Sequence, residues 1–255
     1  MADKASSALV LHCGARQVTL DELNAVKAPP AEGRWFPLSH GHVLGRVKET
    51  LAEAGYTIRR EQLGLSRNDG RFFGTLDLGT ALGPEVTLAV GVRNSTDKSF
   101  PLGFCAGSRV FCCDNLAFRS ELLIRRKHTK HGGQRFSTDI AQAVMKLGDF
   151  KEAEAARIRM MREREVSGEK ADSLILNAYH KGIISAPMLP AVITYWREPQ
   201  FEEFQERTYW SLFNAFTSIL ADKVKTNPQA FALQTMRLHA HLDPTAGEVS
   251  HATAS

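Results

Sequence analysis

The sequence has no uninterrupted apolar run of the roughly 18 residues that a bilayer-crossing helix requires, so no membrane partner is expected. Cysteine is scarce. There are four, and three of them crowd positions 105 to 113. Neighbours such as Cys112 and Cys113 seldom bridge each other, so a disulfide scaffold is excluded and a reduced, cytoplasmic setting is expected. The start, Met1-Ala2-Asp3-Lys4, lacks the charged-then-apolar layout of a secretory signal.

Nucleotide-binding signatures are also missing. There is no G-x-x-x-x-G-K-[ST] and no strand–GxGxxG–helix unit, so a nucleotide-hydrolysing motor and a cofactor are not expected. Gly64, Gly70, Gly74, Gly79 and Gly83 read as turn and bulge residues. No G-x-S-x-G elbow marks a serine hydrolase. The pairs His40/His42, His128/His131 and His239/His241, even with Cys105, Cys112 and Cys113, lack the doubled spacing of a zinc module. Asp77, Glu85, Asp97 and Asp114 are too scattered to suggest a metal nuclease. Cys113 with His128 is the one conceivable thiol–imidazole pair, and nothing in the sequence brings them together.

What is present is the composition of a globular protein, 43% hydrophobic and 24% charged with a net charge of +4. Residues 1–34 read as a loosely structured lead-in, with Pro29-Pro30 and Gly33. Residues 35–242 read as one α+β domain with a central antiparallel β-sheet, an N-terminal helix and a mostly helical C-terminal half. Ser39 caps a helix from His40 to Ala54, whose apolar face is Val43, Leu44, Val47 and Leu51. The β-rich part spans 55–118. Asn68-Asp69-Gly70 is a hairpin turn, Arg71–Leu78 and Glu85–Val92 are strands, and Asn94-Ser95-Thr96-Asp97 is a polar loop. Phe100–Cys113 reads as one or two buried strands, and helix is expected after Asn115. The helical part, 137–242, carries helices over Asp139–Val166, Ala171–Lys181, Phe201–Lys223 and Pro228–Leu238. Trp210, Phe213, Phe216 and Leu220 recur at helical spacing, as a core helix requires. Residues 243–255 are small and polar, and read as a disordered tail.

Charge is concentrated in one place. From Arg109 to Arg135 there are seven basic residues against two acids, a local excess larger than that of the whole chain. Arg125-Arg126-Lys127-His128-Thr129-Lys130-His131 mixes cationic, hydroxyl and imidazole donors, the set that phosphate oxygens accept from. Gly132-Gly133 would admit a nucleic-acid backbone closely. In this reading Arg93, Lys98, Arg109, Arg125, Arg126, Lys127, Lys130 and Arg135 grip phosphates. Asn94, Ser95, Thr96 and Thr129 hydrogen-bond the backbone, and His128 and His131 donate or stack. Phe72, Phe73, Phe104 and Phe118 are candidate stacking platforms, with core packing as the competing duty.

Two segments are distinctive: Gly91-Val92-Arg93-Asn94-Ser95-Thr96-Asp97-Lys98-Ser99-Phe100 and Gly107-Ser108-Arg109-Val110-Phe111-Cys112-Cys113-Asp114-Asn115-Leu116-Ala117-Phe118. With Arg126-Lys127-His128-Thr129 and Leu212-Phe213-Asn214-Ala215-Phe216-Thr217, the chain from Trp35 to Leu242 resembles the phage- and plasmid-borne family catalogued as domain of unknown function 932. That resemblance implies a bacterial mobile element and a role in recombination, replication, or defence and counter-defence. The order of helix, antiparallel strands, basic turn and long helix is also similar to the core of ring-forming single-strand annealing proteins. Such proteins need a cationic groove and no catalytic residues. The expectation is therefore a non-enzymatic, homo-oligomeric binder of single-stranded DNA. The alternatives are a protein-interaction module acting in host defence or counter-defence, and a metal- or thiol-dependent enzyme.

Overall fold

Strand-forming runs joined by tight turns fold into a meander in the computed structural model, which describes residues 16–110, 115–130, 132–223 and 228–243. Five long strands follow one another: β2 (Ile58–Leu65), β3 (Arg71–Gly83), β4 (Val86–Ser95), β5 (Leu102–Val110) and β6 (Asn115–Arg126). A two-residue strand, β1 (Arg16–Gln17), pairs with the end of β2. All pairings are antiparallel, in the order β1 to β6. Three turns each pivot on one residue in the left-handed region: Asp69 (φ 52°), Glu85 (φ 56°) and Lys98 (φ 64°). Positive φ matches a turn to the twist of the strands it joins, at a cost to any side chain larger than glycine.

The register divides the sheet into two unlike faces. Gly74↔Val92, Leu76↔Val90 and Val92↔Phe104 place Phe72, Leu76, Val90, Val92 and Phe104 on one apolar face. Helix α2 (His40–Glu53) covers part of it with Val43, Leu44, Val47 and Leu51, all out of solvent. Ser39 Oγ accepts from His42 N and caps that helix, as its sequence predicts. Helix α4 (Leu147–Glu163) covers the β3–β4 turn end of the same face, where Ser108 Oγ donates to Glu154 Oε1 (3.3 Å) and Arg162 donates to Pro84 O (3.0 Å). The other face carries Thr75, Asp77, Ala89, Gly91, Gly107 and Arg109, also buried.

The described part of the lead-in, residues 16–34, packs on this domain, and residues 1–15 lie outside the described residues. Thr19 and Glu22 form a capping box for α1 (Leu20–Ala25), which buries Leu23 completely and packs on α2. Beyond Asn115 the chain forms β6 rather than helix. Tertiary pairing decides this, because β5 offers a full partner from Leu102↔Arg126 to Val110↔Asn115. The long helix expected over Asp139–Val166 begins earlier and is broken at Lys146, giving α3 (Gly132–Met145) and α4. The break lets two apolar faces bury against different partners. Helix α3 packs on α2 and β6, and α4 packs on β3 and on the later helix α7 (Tyr209–Lys223). The other helices are α5 (Gly168–His180), α6 (Leu189–Arg197) and α8 (Pro228–His241). Trp210, Phe213, Phe216 and Leu220 are buried, as their spacing predicts. The Trp210 and Phe213 rings stack at 5.9 Å with Arg162 and Arg157 over them. The expected tail beyond Asp243 lies outside the described residues.

Candidate nucleic-acid interface

The end of β4, the loop after β6 and the segment before α2 converge through two histidines. Asn94, on β4, donates from Nδ2 to Leu38 O (2.9 Å) and to His40 Nδ1 (3.0 Å). His40 Nε2 in turn lies 2.9 Å from Asp69 O, which fixes a neutral ring with its proton on Nε2. His128 Nδ1 accepts from Leu38 N (3.3 Å), and His128 O accepts from Phe36 N (3.1 Å). Burial pushes both imidazoles below the ordinary histidine value, and the nearby His40 ring adds to the effect at His128. Residues 127–130 are thus laid alongside residues 35–38.

Around this junction cations sit next to aromatic rings. Lys98 Nζ stands 4.8 Å from the Trp35 ring centroid, and the Arg93 guanidinium 5.3 Å from that of Phe100. Ser95 Oγ donates to Phe100 O (2.7 Å) and accepts from Phe100 N (3.2 Å), which closes the turn that carries Lys98. Asp97 accepts from Arg71 Nε (2.7 Å) and from Ser99, and these bonds hold its carboxyl below the usual range despite partial burial. Lys127, Thr129 and Lys130 are exposed on the adjacent loop, and Arg135 is exposed on the first turns of α3. Lys127 lines a small cleft with Phe36, Leu38, Leu102, His128 and Gly132.

Several residues expected to touch a ligand are committed elsewhere. Arg109 is fully buried. Its Nε donates to Asp77 Oδ1 (2.7 Å) and its Nη2 to Thr75 Oγ1 (3.4 Å). It ties β5 to β3 across β4 and grips no phosphate. Asn94 and Ser95 lie inside β4 rather than in a polar loop, and both are buried, as is Thr96, whose N–H donates to Gly70 O (2.8 Å). His128 is a buried positioning group rather than an exposed donor. The room at Gly132 is taken by the chain itself, since a Cβ there would stand 3.0 Å from Lys127 O. Phe72 and Phe104 are core. Arg125 and Arg126 close β6 opposite Gly103 and Leu102. His131 and Cys113 lie outside the described residues.

Among the described residues, no three His, Cys, Asp or Glu side chains gather to hold a metal ion. Cys105 is buried, and its thiol is pushed up to about 12, far from a nucleophile's range. No described helix is long and apolar enough to cross a membrane.

Trp35 is the site residue that no sequence motif marks. It lies outside the basic run, and its turn partner Glu32 is separated from Lys98 by 66 positions. Only its place at the opening of the compact region distinguishes it in the sequence. No family model matches the chain, and no curated protein or solved structure matches it either.

Proposed function

We propose that the chain binds single-stranded nucleic acid, DNA in the first instance, through the sheet end that carries Lys98 over Trp35, Arg93 over Phe100 and the exposed Lys127 and Lys130. The observation that carries this reading is that juxtaposition. The exposed Lys98 ammonium lies over the Trp35 ring and the Arg93 guanidinium over that of Phe100, the pairing of cation and ring that holds a phosphate backbone while unpaired bases stack. The likeness to domain of unknown function 932 belongs to the same proposal. So do a homo-oligomeric, cytoplasmic protein and a role in annealing or recombination on a bacterial mobile element.

The test is fluorescence anisotropy with labelled single- and double-stranded oligonucleotides across a salt series. Binding that favours single strands is expected, with log affinity falling against log salt by about 0.7 for each phosphate neutralised. No binding at low salt, where the attraction is strongest, would overturn the reading.

A further inference from the structure

We infer that Trp35 and Lys98 together form a single-nucleotide subsite, in which the indole stacks one unpaired base and the ammonium takes the adjoining phosphate, a place the Glu32 carboxylate fills in the free protein. The inference rests on the interface reading above and goes beyond it by naming the contact and its competitor.

Three observations carry it. Glu32 and Trp35 exchange both backbone hydrogen bonds (2.9 Å each) across a tight turn with Gly33 at φ 57°. A pair bridged in this way projects its side chains to the same side, so one turn presents a carboxylate and an indole together. Lys98 meets both, with Nζ 2.5 Å from Glu32 Oε2 and 4.8 Å from the indole centroid. The carboxylate and ammonium side chains are 74% and 53% exposed, so this is a surface ion pair of the weakly held kind. A phosphodiester oxygen can take the place of Glu32 Oε2 on Lys98 without rebuilding the site, whereas Asn94 and Arg109 would have to leave buried partners first. Lys98 also holds φ 64°, an unfavourable conformation for a lysine, at the tip of its turn.

The chain supplies its own reporter. Of its three tryptophans, Trp196 and Trp210 are buried at 3% and 1% exposure, whereas Trp35 is partly exposed and is the indole that the subsite uses. Intrinsic fluorescence is therefore read alongside anisotropy while unlabelled and labelled oligo(dT) are titrated into the full chain. The subsite predicts quenching that saturates with binding and disappears in Trp35→Phe. It predicts that Trp35→Ala weakens binding roughly 5- to 150-fold, the worth of one stacked base, and that Trp35→Phe retains most of the affinity. Glu32→Gln is expected to tighten binding, because the competing carboxylate is gone. This variant removes one partner of an exposed pair and leaves the fold intact. Binding by anisotropy with no change in Trp35 emission, and with Glu32→Gln neutral or weaker, overturns the subsite and leaves the interface standing. Absence of any binding overturns the interface itself.

Discussion

Arg109 and Asp77 meet at 2.7 Å across the strand that separates them, one at 0% and the other at 3% side-chain exposure. Between them β4 offers Thr87 and Ala89, the register partners of Arg109 and Asp77, and Gly107 adds no side chain beside them. A guanidinium can lie flat over such small residues. Arg60 Nε also stands 3.4 Å from Asp77 Oδ2, so removing Arg109 leaves the buried carboxylate only partly compensated, and Arg109→Met is expected to cost up to about 3–5 kcal/mol by urea denaturation. Arg109→Met with Asp77→Leu should recover much of that loss. Oligonucleotide affinity of the folded fraction should not change, because this arginine faces the interior.

The two histidines make stability depend on pH. Each Nδ1 accepts from a group that can only donate, Asn94 Nδ2 in one case and Leu38 N in the other, so neither ring can take a proton there without losing the bond. A base whose folded pKa is lowered contributes stability that is complete above its unfolded value and lost as pH falls through it. The window therefore opens just below pH 6.5, the ordinary histidine value. Asp69 and Asp97 act on His40 in the opposite sense, but burial dominates. Urea midpoints should be flat above neutrality and drop as pH falls below about 6.5. His40→Asn and His128→Asn, which keep an acceptor near Nδ1, should flatten that drop.

Two glycines on one helix should respond with opposite signs. Nothing lies within 4 Å of a Cβ at Gly45, whereas at Gly41 a Cβ would collide with the Asn24 side chain and stand 3.2 Å from Asn24 Cα. Gly45→Ala should stabilise by about 0.5–1 kcal/mol through helix propensity alone. Gly41→Ala should instead destabilise by about 1–3 kcal/mol, because α1 must move off α2. Thermal or urea melts of the two variants decide it.

Lys127 and Lys130 are exposed, so replacing both with Ala should leave stability within about 0.5 kcal/mol. Affinity for single strands of any sequence should fall, and the salt slope should shrink by about 0.7 for each phosphate no longer neutralised. An unchanged slope in the anisotropy series would remove this loop from the interface.

The fold was legible wherever one element carried its own pattern. The alternation of Val86, Leu88, Val90 and Val92 announced β4, and the spacing of Val43, Leu44, Val47 and Leu51 announced α2. It was illegible where a partner decides. The β6 segment reads as helix until β5 is beside it, and α1 belongs to the domain only because Leu23 finds a place in the core. The proposed interface was half legible for the same reason. The density of charge located Lys127 and Lys130, but charge density along a sequence is blind to depth, and so it enlisted Arg109. No local signal joins Trp35 to Lys98, because a turn on each side brings them together.

From β2 to β6, each strand pairs with the one made just before it. Once residue 126 has left the ribosome, the sheet is complete and α1 and α2 are already available to cover part of its apolar face. The remaining residues take on the order of ten seconds to synthesise. During that interval Ser108 waits for Glu154, and the β3–β4 turn for Arg162. The order of synthesis is nearly the order of assembly, and the parts of the nascent sheet left bare are the β3–β4 end that α4 later closes and the β6 strand that α3, α7 and α8 later pack on.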